Sequence, residues 1–200
     1  TRAAARPLAQ SAGEAVSAAL GLRIKGLRWR LGLTLEQLSQ RSGVSRAMLS
    51  TIERGEKSPT LPIIVRIASG FGISLSALLG AQPDPSSVAV IRAAQRLAFR
   101  DSETGFERWV LSPAHVGNGL EFVLHRLPPG PTTGVLPAYT VATEKYIAVA
   151  SGTLSVAVDD HPHVLKAGDS MYFEVKTPYR LTNDDTRTAC TYYMVITRKR

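Results

Sequence analysis

The sequence predicts an α + β protein in two parts, a bundle of five short helices followed by an antiparallel β barrel. Three observations predict it. Between Val16 and Gly80 apolar residues recur at helical spacing, in short pieces divided by turn residues. Ala81 to Ser87 (AQPDPSS) gathers Pro, Asp and Ser as a linker does. From Val88 onward, short runs rich in Val, Leu, Phe and Tyr alternate with Gly, Pro, Asp and Asn, the texture of strands in a sandwich or barrel. The expected division is a flexible tail over 1–15, a helical domain over 16–80, a linker over 81–90 and a barrel domain over 91–198.

Five helix starts follow from local chemistry. The first helix is expected from about Ser17 to Leu31, with Leu20, Ile24, Leu27 and Leu31 on one stripe, and Gly32 ends it. Thr34-Leu35-Glu36-Gln37 reads as a capping box opening the second helix, which stops at Gly43. Ser45 caps the third, which ends by Gly55. Thr60 caps the fourth with Pro62 in its first turn, and Ser74 caps a short fifth helix ending near Leu79. Seven strands are expected, over 97–100, 106–111, 120–127, 146–150, 154–158, 170–175 and 188–197.

Charge separates the two parts. The chain has 200 residues and a formal net charge of +8. Residues 1–80 carry +7 of it and residues 81–200 only +1. A basic head attracts a phosphate backbone, although a plain solvated face has the same composition. The single cysteine, Cys190, excludes an internal disulfide and reads as a buried small hydrophobe. No apolar run reaches membrane-spanning length and no secretory signal is visible, so a cytoplasmic location is expected. No nucleophile elbow, phosphate-binding glycine loop, dinucleotide fingerprint or zinc spacing occurs.

The second and third helices carry the functional signal. They are short and joined by a tight Gly43-Val44-Ser45 turn, with Leu38, Val44, Leu49 and Ile52 placed to pack them together. The outward face of the third is Arg46, Ser50 and Arg54, with Ala47 and Thr51 beside them and no carboxylate. Residues 35–54 (LEQLSQRSGVSRAMLSTIER), followed by GEKSPT, resemble the Cro/cI-type helix-turn-helix of the XRE family of bacterial regulators, over about residues 22–80. That resemblance implies a double-stranded DNA operator as partner, with the third helix in the major groove. It implies that Ser45, Arg46, Ala47, Ser50 and Thr51 face base edges and that Gln37, Arg54 and Lys57 face phosphates. Glu53 is expected to be structural, tying the turn together. A homodimer on half-sites about 34 Å apart is the expected assembly.

Residues 130–197 resemble the cupin, a double-stranded antiparallel β-helix barrel. Glu144, Gly152, the hairpin at Asp159-Asp160, Lys166-Ala167-Gly168-Asp169-Ser170 and Pro178 through Asn183 carry the match. The sequence departs from the family at its metal ligands: Pro137 to Thr140 stand where a His-x-His is usual, Tyr179 where the last His is usual, and only Glu144 remains. A barrel without metal or other cofactor is therefore expected, since one carboxylate with no imidazole cannot hold a transition metal tightly. All six tyrosines lie between 139 and 193. Tyr139, Glu144, Tyr146, Tyr179 and His125 are the candidate effector residues, and a carboxylate among aromatic rings suits a small polar or cationic effector such as an amine. The tyrosines equally suit strand packing. His161-Pro162-His163 reads as a solvated loop, and His115 as isolated.

The sequence thus points to a sequence-specific DNA-binding transcription regulator, not an enzyme, whose barrel senses a ligand. A barrel that only dimerises, or one with metal-free enzymatic activity, remains open at this point.

Overall fold

The computed structural model describes residues 5–82, 88–113, 119–130, 132–139 and 141–198, with side chains from residue 18 onward. His115 lies outside the described residues. The chain divides into two compact units, residues 1–73 and 74–200.

The first unit holds four helices, α1 (Ala5–Arg30), α2 (Leu35–Ser42), α3 (Arg46–Glu53) and α4 (Leu61–Phe71). Helix α1 begins at Ala5, well before the expected Ser17, in a stretch whose Ala and Arg residues are strong helix formers. Its buried stripe also differs from the expected one. Leu20, Gly21, Ile24 and Arg28 are buried, whereas Leu31 is 52% exposed and Leu27 is half-buried. Gly21 explains the shift of phase: a Cβ there would lie 2.2 Å from the Ile52 carbonyl oxygen, so α1 crosses α3 backbone to backbone. Gly21→Ala is therefore expected to destabilise by about 1–3 kcal/mol, because overpacking against a fixed carbonyl outweighs the ~1 kcal/mol that Ala adds to a helix. Thermal unfolding of the variant tests this, and an unchanged or raised Tm would show that the crossing is looser.

Caps fix the turn between α2 and α3. The Thr34 hydroxyl accepts the Gln37 N–H at 3.1 Å and the Gln37 side-chain oxygen accepts the Thr34 N–H at 2.8 Å. Gly43 ends α2 in the left-handed conformation, φ 65°, and Ser45 Oγ accepts the Met48 N–H to start α3. Leu38, Val44, Leu49 and Ile52 are all buried, as the spacing predicts. Thr60 precedes α4 without a side-chain cap bond, and Pro62 supplies the start instead by removing a donor that has no helical partner.

The second unit opens with α5 (Leu75–Leu79) and continues into nine strands. These are β1 (Ala98–Arg100), β2 (Glu107–Val110), β3 (Glu121–Leu127), β4 (Thr143–Ser151), β5 (Thr153–Val158), β6 (His161–Lys166), β7 (Ser170–Glu174), β8 (Tyr179–Thr182) and β9 (Cys190–Arg198). They form a six-stranded sheet, β1-β2-β3-β9-β4-β7, and a three-stranded sheet, β6-β5-β8, with every strand pair antiparallel. Val123, Leu127, Ile147, Leu154, Val156, Leu181, Tyr192 and Met194 are buried and form the core.

Two of these strands were not expected. β6 contains His161-Pro162-His163, read as a loop, and its exposed residues lack an apolar alternation. It is an edge strand, where proline is tolerated. β8 has only four residues. The β5–β6 hairpin turns at Asp159 and Asp160, both at positive φ (52° and 59°), the paired left-handed geometry of a two-residue turn. At the β6–β7 turn Asp169 accepts the Lys166 N–H at 2.8 Å, beside Gly168 at φ 94°, as the local sequence predicts.

Candidate functional site

The helical unit presents a polar face along α3. Ser45, Arg46, Ala47, Arg54 and Lys57 are exposed, and Ser50 and Thr51 are half-buried. Their side chains are not equally available. Arg54 is turned onto Glu56, with its Nε 2.6 Å and an Nη 2.8 Å from the carboxylate oxygens, and it also donates to the Ser50 hydroxyl. Thr51 donates to the Met48 carbonyl at 2.8 Å, and Ser45 is occupied as the cap. Among the described residues Arg46 and Lys57 form no ion pair. Gln37 is exposed at the start of α2. Its amide oxygen is held by the Thr34 N–H, which leaves the NH2 group to donate outward beside the helix N-terminus.

Glu53 is the structural residue it was expected to be. It is 6% exposed and takes both arms of Arg28, Nε and Nη2 each at 2.7 Å. Arg28 also donates to the Leu33 carbonyl at 3.0 Å, so one guanidinium joins α1, the turn before α2 and the end of α3. Its bond to Glu53 raises the Arg28 pKa further, against the effect of burial.

The barrel interior differs from expectation in sign. On β4, Thr143, Lys145, Ile147 and Val149 are buried, while Tyr146 is 46% exposed and Glu144 is half-buried. Glu144 accepts bonds from Thr197 (3.3 Å) and Tyr146 (3.4 Å), and Tyr146 packs on Tyr172 with ring centroids 5.0 Å apart on the outer face. The expectation that Glu144 and Tyr146 line the interior is therefore corrected. A strand alternates its faces, and the parity of Ile147 and Val149 sends Lys145 inward.

Lys145 meets Tyr179, Tyr139 and, across the interior, a charged network. Its ammonium donates to the Tyr179 hydroxyl and lies 4.3 Å from the Tyr179 ring centroid and 5.5 Å from that of Tyr139. Burial, with Arg108 and Arg198 nearby and Glu121 opposing, brings the Lys145 pKa down to about 7. Arg108 of β2, 3% exposed, donates to Glu121 of β3 at 2.6 Å and to the Ser76 hydroxyl at 3.0 Å. Arg198 of β9 is 3.1 Å from the other Glu121 oxygen, with its guanidinium 5.5 Å from the Tyr139 ring centroid. Glu121 accepts the Ser76 backbone N–H at 3.0 Å, and the Ser76 hydroxyl too, on α5. Burial raises the Glu121 carboxyl pKa, but the two guanidinium groups and Ser76 outweigh it and hold the group below the ordinary carboxylate range.

His125 lies inside as expected, 4% exposed, between Phe106 and Tyr192. Its Nε2 is 3.2 Å from an Arg108 Nη. Arginine can only donate, so Nε2 accepts and the neutral ring carries its proton on Nδ1. Burial, then Arg108 and Lys145, push its pKa well below the usual value, so it is neutral. Cys190 is buried and its thiol is pushed up to about 11 by burial alone, which makes it unreactive.

These residues do not fit a metal ion. One imidazole facing a guanidinium, two phenols raised by burial and three cationic side chains offer no anionic ligand cage. Among the described residues no group of three or more His, Cys, Asp and Glu could hold one. No described helix is long and apolar enough to cross a membrane.

Comparison with known proteins follows the same division. Residues 24–78 match the Helix-turn-helix family model (HTH_3) and residues 123–196 the Cupin domain model. The HTH-type transcriptional regulator SutR of Escherichia coli (strain K12) is 28% identical over 176 residues, covering 84% of this chain and 89% of its own length. The HTH-type transcriptional regulator PuuR of the same strain is 24% identical over 166 residues, covering 82% and 86%. A crystal structure of an HTH_3 family transcriptional regulator from Vibrio cholerae aligns with a TM-score of 0.78 at 26% identity, over 94% of this chain and 99% of that one. Helices, turn chemistry, sheet topology and relatives agree: the chain carries an N-terminal helix-turn-helix domain and a C-terminal cupin domain, and over most of its length it is similar to HTH-type transcriptional regulators.

Proposed function

We propose that this regulator reads a specific operator as a homodimer and that its barrel binds a small polar effector that alters DNA affinity. The observation that carries the DNA-reading half is the α3 face: exposed Arg46 and Ala47 behind a turn fixed by the Thr34–Gln37 box and Ser45. Arg46 reads a guanine through its O6 and N7, Ala47 meets a thymine methyl group, and Ser45, Ser50 and Thr51 contact neighbouring base edges. Gln37 and Lys57 hold phosphates, and Arg54 joins them by exchanging Glu56 for a phosphate oxygen. Two such heads on one operator supply the base pairs that a single short helix cannot.

Two groups inside the barrel support effector binding over a purely dimerising role. Arg108 Nε and His125 Nδ1 are buried with no hydrogen-bond partner, and a ligand that supplies acceptors would satisfy them. The support for a cationic effector is gone, because the inward residue is Lys145. The barrel acts as a sensor, not an enzyme; the relatives covering both domains are named as transcriptional regulators.

Selection from a random duplex pool tests the DNA-reading half. One recovered motif with two symmetric half-sites is expected. Salt-sensitive retention with no recovered motif would leave the basic charge but remove sequence reading.

A further inference from the structure

We infer that the barrel interior is a receptor for a small organic carboxylate, with Lys145 as its anchoring cation and His125 and Tyr139 beside it. The inference deepens the effector reading and rests on it. Three cationic side chains, from β2, β4 and β9, face one interior: Arg108, Lys145 and Arg198. Among the described residues the only carboxylate there is Glu121, and both guanidinium groups already share it. Lys145 forms no ion pair among the described residues; its hydrogen bond goes to the neutral phenol of Tyr179. Burying an ammonium without a carboxylate in contact is costly, and the more distant Glu121 offsets only part of that cost; a ligand carboxylate would offset more.

The unspent donors point to the same chemistry. The Nδ1–H of His125 and the Nε–H of Arg108 are buried without acceptors. A carboxylate accepts and never donates, so it suits these two N–H groups; the Tyr192 hydroxyl, also buried without a partner, can donate too, and the remaining unbonded atom of the interior, Glu121 Oε1, is ion-paired with Arg198. The aromatic rings of Tyr139 and Tyr179 flank the ammonium and suit an apolar or aromatic body behind the carboxylate. One unpaired cation matches one negative charge better than a phosphate dianion.

Only Lys145 titrates among these groups near neutrality. Beside the Arg108 and Arg198 guanidinium groups, Glu121 stays ionised, His125 stays neutral, and burial holds Tyr139, Tyr179 and Tyr192 protonated. The carboxylate binds the ammonium form, which predominates below about pH 7 in the empty barrel. Affinity is therefore level below that pH and falls by up to about tenfold per unit above it.

The test is calorimetric titration of the full chain with benzoate, succinate, inorganic phosphate and hexylamine, near pH 6 and about 8.5. Benzoate or succinate is expected to bind, more weakly at the higher pH. Lys145→Met is expected to weaken binding at least about tenfold. Lys145→Arg, which keeps the charge, is expected to bind at both pH values. Circular dichroism and operator binding of Lys145→Met check that it folds. Binding of hexylamine but neither carboxylate, preference for phosphate over both, no binding by any probe, or carboxylate binding indifferent to Lys145→Met would each overturn the inference. Measuring operator affinity with ligand present separates the two readings. Carboxylate binding at Lys145 with unchanged operator affinity upholds the site and removes the sensor. Hexylamine that binds and shifts operator affinity upholds the sensor and overturns the carboxylate site.

Discussion

Arg28→Ala is expected to lower the stability of the helical unit by about 3 kcal/mol, the low end of the range for breaking a buried ion pair. The low end applies because the Arg28 side chain is 10% exposed, against 5% for Glu53. The substitution leaves the Glu53 carboxylate buried without its two guanidinium bonds and the Leu33 carbonyl without a side-chain donor. The loss is thus mostly the penalty of an orphaned charge, not the attraction of the pair. Urea denaturation followed by helical circular dichroism measures it. The double variant Arg28→Met with Glu53→Leu is expected to recover much of the stability, since apolar residues of similar volume carry no buried charge. An Arg28→Ala curve that moves no further than that of Glu56→Ala, which breaks a solvent-exposed pair, would mean that Arg28 does not hold the three elements together.

Arg46→Ala is expected to lose about 1–3 kcal/mol of discrimination at one position of each operator half-site, a factor of roughly 5 to 150. The expectation falls on Arg46 and not Arg54 because only the latter is already engaged, by Glu56 and Ser50. Lys57→Ala supplies the contrast. It is expected to weaken all sequences evenly and to reduce the salt dependence of binding by about one counterion. Competition binding with operators mutated at each position separates the two. If Arg46→Ala weakens every sequence equally, Arg46 is a phosphate contact and the base reading belongs to its neighbours.

Much of this architecture was legible because turn residues do local work. Thr34 with Gln37, Gly43 and Ser45 each have one chemical reason to stand where they stand, and each makes the expected bond or angle. What escaped depends on partners distant in sequence. Arg28 looks like one more surface cation until Glu53 lies opposite it, and Gly21 shifts the phase of α1 through a contact with Ile52. Strand β6 carries no apolar alternation because, of its six residues, only Leu165 is buried. The error at Glu144 was different in kind. Ile147 and Val149 already mark the inward parity of β4, and counting back by twos reaches Lys145. The same count from Val110 reaches Arg108, and from Val123 reaches Glu121 and His125. The interior charges were therefore present in the alternation, but their sum, and hence the sign of the site, appears only once β2, β3, β4 and β9 are brought together.

The bond from Ser76 to Glu121 bears on how such a protein could be recombined. The helix-turn-helix match runs to residue 78, yet the compact units divide between Ile73 and Ser74, so α5 goes with the head by one description and with the barrel by the other. A chimera joined in the proline-rich stretch after Ala81 would bring a foreign α5 onto this barrel and strip Glu121 of its Ser76 partners. A junction after Ile73 keeps them. The natural seam for exchanging heads among barrels of this kind thus lies one helix earlier than the proline-rich sequence suggests, and α5 travels with the barrel.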